Sequence, residues 1–133
     1  MTEGVDVEAD VARLTADHPI AIREIEEALR VAIKTEYPTL LERVDFGNKL
    51  IAYGTSMQMR DLLFAIIAHR EHVNLQLADG AHLPDRTGIV EGTGKRIRHI
   101  KVRSAALAGS IAVRDLIRAE VAVRMAANDG AGG

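Results

Sequence analysis

Residues 62–77 read LLFAIIAHREHVNLQL, and the reading of this stretch decides the fold. Leu62 to Ala68 is an unbroken apolar run of strand length, as expected of a central strand buried on both faces. His69-Arg70-Glu71-His72 is polar and short enough for a tight connection. Val73, Leu75 and Leu77 then alternate with Asn74 and Gln76, the pattern of a strand with one wet face. Two strands joined so closely must run antiparallel. Upstream, Val44 and Phe46 alternate with Asp45, and Gly47-Asn48 signals a turn before the strand Leu50 to Tyr53. The period of two therefore persists from about residue 44 to residue 77, which predicts an antiparallel meander.

Beyond it, residues 79–95 form a long segment rich in Gly, Pro and Asp, with one helical turn expected near Ile89-Val90. Ile97 to Val102 reads as a further strand. Its alternation slips, since Ile97 and Ile100 share a face only if a bulge or turn intervenes.

The flanks are helical. After Asp17-His18-Pro19, Ile22, Ile25, Leu29, Ala32 and Ile33 recur at helical spacing. Glu26 and Arg30 stand four apart, the order expected of an exposed helix face. Pro38 ends that helix. A last helix is expected from Ser104 or Ser110 to Ala127, with Ala112, Leu116, Ala119, Val123 and Ala127 as a narrow seam of small and aliphatic side chains. The expected fold class is α+β in two layers, an antiparallel sheet of about five strands with N- and C-terminal helices on one face. The expected domain organisation is a flexible arm at 1–16, with a short helix as the other reading of that stretch, one domain at 17–127 and a disordered tail at 128–133.

Composition removes several chemistries. The chain of 133 residues has no Cys, which leaves out a disulfide scaffold, thiolate metal sites and thiol catalysis. Its four aromatics, Tyr37, Phe46, Tyr53 and Phe64, are too few for a base-stacking platform. Nucleic acid is accordingly not an expected partner. No apolar run has the length of a membrane span and the first residues lack a hydrophobic signal core, so no membrane partner and a cytoplasmic location are expected.

The net charge of −2 conceals a division. Residues 1–36 hold nine acids against four bases, whereas residues 86–103 hold Arg86, Lys95, Arg96, Arg98, Lys101 and Arg103 against Glu91 alone.

The segment Leu83 to Ser104, LPDRTGIVEGTGKRIRHIKVRS, resembles the signature stretch of the YdhG-like family of bacterial domains of unknown function. Pro38 with Glu42, the pair Phe46-Gly47, Tyr53 and His72-Val73-Asn74-Leu75 fall at spacings familiar from that family. The resemblance covers roughly residues 20–127. This chain departs from it at Phe46, where the family often has Trp, and at Asn48 and Lys49, where it often has Pro. The resemblance implies a fold similar to the YjbR/CyaY-like and frataxin-like group. It also implies an alternative function, since some members have been described as frataxin-like intracellular iron chaperones.

Within the segment, Gly88 to Lys95 is neither a Walker A loop nor a dinucleotide fingerprint: the glycine intervals are wrong, and Arg96 stands where a Ser or Thr must meet magnesium. Gly92 and Gly94 can still adopt positive φ and turn backbone N–H groups toward an anion. Lys95, Arg96 and Arg98 would add charge, and His99, Lys101 and Arg103 share one face of the following strand. The expected ligand-binding set is therefore Gly92, Gly94, Lys95, Arg96, Arg98, His99, Lys101 and Arg103, for an anionic small molecule or acidic protein partner.

His69 and His72 would meet only if a turn joins them, and no metal-ligand spacing is present. For the iron alternative the candidate oxygen ligands are Glu24, Glu27, Glu36, Glu42 and Asp45. No nucleophile elbow or acid pair of fixed separation is legible, so the expected protein is a non-enzymatic binder without a cofactor, iron entering only in the alternative. A homodimer through the seam of the last helix is a third reading.

Overall fold

The computed structural model describes residues 5–132, with side chains as far as Asp129. Strands β1 (Leu41–Asp45), β2 (Leu50–Gly54), β3 (Leu62–Ala68) and β4 (Val73–Leu77) form the meander that the alternation predicts. β5 (Val90–Glu91) and β6 (Arg98–Val102) complete an open, wholly antiparallel sheet in the order β1-β2-β3-β4-β6-β5. Six strands thus stand where about five were expected. The extra one is β5, at the place where a helical turn was expected. Asp85 forces the difference: its carboxylate accepts from the backbone N–H groups of Ile89 (3.0 Å) and Val90 (2.9 Å), and the chain then extends alongside Ile100 and His99. A helical turn lies instead at Gly80–His82.

Register explains which residues are buried. Val73, Leu75 and Leu77 stand opposite Ala68, Ile66 and Phe64 on one side, while Val73 and Leu75 stand opposite Val102 and Ile100 on the other. These side chains share one face with Ile51 and Tyr53 and enter one continuous core. Ile97 lies outside β6 and is exposed, which removes the apparent slip in the alternation.

The helices cover that face. α2 (Ile20–Glu36) presents Ile22, Ile25, Leu29, Ala32 and Ile33 to it and packs on β3 and β4. The C-terminal helix is two: α3 (Ala105–Ala108), capped by Ser104, and α4 (Ile111–Gly132). On α4 the buried face is Val113, Leu116, Ile117, Glu120 and Arg124. The expected seam is shifted from this face, because a purely apolar reading passes over Glu120 and Arg124. Ala112, Leu116, Ala119 and Ala122 line a groove of about 450 Å³ facing Pro84–Thr87. No helix among the described residues is long and apolar enough to cross a membrane.

Both ends are helical. At the first, α1 (Val7–Thr15) is the short helix of the two readings of residues 1–16; Met1–Gly4 lie outside the described residues. Asp6 caps it by accepting from Ala9 N–H (3.0 Å), Val11 joins the core, and the Arg13 guanidinium lies 4.4 Å from the centre of the Phe46 ring. At the other end α4 continues to Gly132 through the supposed tail, Gly133 lying outside the described residues. Asn and Gly lower helix propensity by about 1 kcal/mol or less each, which does not by itself end a helix already propagating.

Candidate anion-binding site

β6 places the expected ligand-binding residues, and it divides them. A strand advances about 3.3 Å per residue, so Arg98 and Arg103 lie roughly 17 Å apart. Ile100 and Val102 point into the core, while His99 and Lys101 stand opposite Gln76 and Asn74 on the open face of the sheet. The stretch 92–103 therefore makes two separate places, one at each end of the strand.

At the first end, the glycine turn serves the fold. Gly92 has φ +114°, as expected, but Gly94 does not adopt positive φ. Glycine is needed at 94 for another reason: a Cβ there would collide with the Ile97 carbonyl oxygen. Arg98 Nε donates to Gly94 O (2.9 Å), Ala81 N–H donates to Arg96 O (2.9 Å), and Arg96 Nε pairs with Asp79 Oδ1 at 2.7 Å. Two of the three cations expected to serve a ligand thus fasten the loop, and Lys95 is left exposed. Gly94→Ala is expected to lower stability by more than about 1 kcal/mol. The check is urea unfolding, where the midpoint should fall at unchanged slope.

At the second end, the β3–β4 turn meets the end of β6. His69 N–H donates to His72 O (2.8 Å), which closes the turn and stacks the two imidazoles at 4.7 Å between centroids and 16° between planes. Asn74, beside them on β4, donates from Nδ2 to His69 Nε2 (3.2 Å). Its Oδ1 is buried with no hydrogen-bond partner. Burial lowers the His72 pKa, and the nearby charges of His69, Lys101 and Arg103 lower it further. The register marks a cluster, since Val73 stands opposite Val102 and Asn74 opposite Lys101: His69, His72, Lys101 and Arg103 converge from two elements about thirty residues apart in sequence. Lys101 has one acid within reach, Glu91 at 4.0 Å, and remains partly exposed. His69 and Arg103 are exposed there, and His72 is partly exposed.

The five carboxylates of the iron alternative are scattered among different tasks. Glu24 is exposed on α2. Glu27 accepts from Arg30 Nη1 (2.8 Å). Glu36 joins α2 to α4 through Arg118 (2.6 Å) and Arg114 (3.2 Å), and the Arg118 hydrogen bond leads in holding its carboxyl below the usual range. Asp45 accepts from Asn48 N (3.0 Å) and Nδ2 (2.9 Å), which closes the β1–β2 turn and lowers its pKa. Glu42 is buried. Burial alone would raise its pKa, but hydrogen bonds from Arg30, Lys34 and Tyr53 bring it down to about 2. Among the described residues no group of three or more His, Asp or Glu is placed to hold a metal ion.

Two buried ionic centres escape the sequence reading. Arg30 was expected on an exposed face with Glu26, yet both are buried. Arg30 reaches Glu42 with Nε (2.9 Å) and Nη2 (3.1 Å), Glu27 with Nη1, and Glu8 on α1 with Nη2 (2.6 Å). Lys34 pairs with Glu42 at 2.7 Å, and the buried Tyr53 hydroxyl donates to Glu42 Oε2. Tyr53 therefore belongs to this centre. Glu26 turns instead to His18 (2.9 Å), and burial raises its pKa.

The second centre joins α4 to the end of β4. Glu120 is fully buried and accepts from Asp79 N–H (2.6 Å), with its carboxyl beside that of Asp79. Arg124 lies 3.5 Å from Asp79 Oδ2 and donates to the carbonyls of Arg60 and Leu62 (3.0 Å each). A helical spacing of three to four ending in buried charges was the available signal: Val113, Leu116, Glu120 and Arg124 continue one face. No family model matches the chain, and no curated protein or solved structure is similar enough to count as a match.

Proposed function

We propose that this chain is a non-enzymatic binding protein that holds an acidic segment of a protein partner on the open face of its sheet. The supporting observation is the convergence of His69, His72, Lys101 and Arg103 at the β3–β4 turn. Several cations on an uncovered strand and turn suit an extended anionic chain better than an enclosed small molecule. The reading narrows the expected contact region, the Gly92–Arg98 turn with the His99, Lys101 and Arg103 face, to Lys101 and Arg103, and adds His69 and His72. YdhG-like membership and a cytoplasmic location are part of the same proposal. Membership is supported by the work its signature residues do: Leu83 enters the core, Asp85 shapes the loop, Gly92 and Gly94 build its turn and Ser104 caps α3.

The test is fluorescence anisotropy with a labelled hexa-aspartate peptide at low ionic strength. Binding should weaken at least about tenfold in Lys101→Ala/Arg103→Ala, the equivalent of about 1.4 kcal/mol. It should change little in Lys95→Ala and weaken with added salt. No binding, or equal loss in the Lys95 variant, would overturn the proposal.

A further inference from the structure

We propose that binding of an acidic segment at this cluster is coupled to uptake of one proton, carried by His72. The inference rests on the binding reading above and adds its regulation by pH. Asn74 stands beside both rings and singles out His72. Its Nδ2 is already engaged with His69 Nε2 at 3.2 Å. Its buried, unpartnered Oδ1 is the acceptor available to a charged His72, and Asn74 is the one neighbour that favours the protonated ring there.

Everything else facing His72 opposes its charge: His69 across the turn, and Lys101 and Arg103 on β6. Glu71, adjoining it on the turn, is exposed. In the free protein at neutral pH the ring is therefore neutral. Carboxylates laid against Lys101 and Arg103 cancel the repulsion, and the ring then takes a proton from solvent, with no bond made or broken elsewhere. Linkage fixes the sign: when the bound form holds more protons, affinity rises as the pH falls through the bound pKa and levels off below the free one.

Calorimetry with hexa-aspartate tests this, since its carboxyls have pKa values near 3.9 and stay ionised above about pH 5.5. Titrations at one pH in two buffers of different ionisation enthalpy should differ in heat, corresponding to net uptake of up to one proton. Affinity should rise several-fold from pH 7.5 to 5.5, one proton setting a ceiling of about tenfold per pH unit. His72→Gln should still bind but lose both the buffer dependence and the pH slope. His69→Gln should keep them. Binding without proton uptake, or uptake that survives in His72→Gln, overturns this inference and leaves the binding reading standing. Absence of binding at every pH overturns both.

Discussion

Arg30→Ala is expected to destabilise the protein by roughly 3–5 kcal/mol, because it strands carboxylates that Arg30 now holds in the interior. Its guanidinium donates to Glu42, Glu27 and Glu8, and Glu42 is as buried as Arg30 itself. Lys34 and Tyr53 would remain against Glu42 but could not replace a bidentate partner. The loss should appear in urea unfolding, accompanied by fraying of α1, whose Glu8 pairs with this residue. A replacement that removes the charges together, Arg30→Met with Glu42→Leu, should recover a large part of the loss. Equal stability of Arg30→Ala and the parent would show that the centre contributes nothing.

The same centre sets acid sensitivity. The folded Glu42 carboxyl lies at about 2, below its ordinary value, so its stabilisation is full above about pH 4.5. It is lost as the pH falls from there through about 2. Arg30→Ala should flatten that part of the stability profile.

Glu120→Gln is expected to act in the opposite direction and at the opposite end of the pH scale. Burial, and then the neighbouring Asp79 carboxyl, push the Glu120 pKa up to about 8. The folded protein thus holds a proton that the unfolded chain releases above about pH 4.5, and stability declines as the pH rises from there to about 8. Each unit of separation is worth about 1.4 kcal/mol, so the decline amounts to several kcal/mol. Glutamine keeps the acceptor for Asp79 N–H and supplies a permanent donor toward the Asp79 carboxylate. The variant should match the parent near pH 5 and exceed it by several kcal/mol at pH 9. Thermal unfolding across pH 5–9 checks this, and a parent profile that stays flat would contradict it. Arg96, which also faces Asp79, is held above its ordinary pKa by that carboxylate and does not shape the profile.

These centres show where linear reading loses its grip. Periodicity of two and of 3.6 carried β2 to β4, α2 and the face of β6, because backbone geometry imposes those periods wherever one side of an element is buried; β1 starts earlier than the alternation from Val44 suggests, at Leu41, and leaves Phe46 in the turn. The same rule misplaced Arg30: on a helix, a charged residue beside Glu26 reads as solvated. Only the sheet and α1, arriving from residues 42 and 8, make its burial tolerable. Glu120 is the converse, a lone acid on an apolar face whose partner, Asp79, stands 41 residues earlier.

The candidate site follows the same division. The basic character of residues 86–103 and the shared face of His99, Lys101 and Arg103 are written in the chain itself. So is the antiparallel meander, since alternation and short turns leave a strand little choice of partner. The tertiary structure decided that β6 inserts between β4 and β5, and that placement brings Arg103 to His72. It also decided that Arg96 and Arg98 fasten the glycine loop while Lys101 and Arg103 lie at the far end beside His72. The physical reason is one of range. Dihedral preferences and burial periods act over a few residues, whereas charge and hydrogen bonding act between whatever the fold brings within a few ångströms.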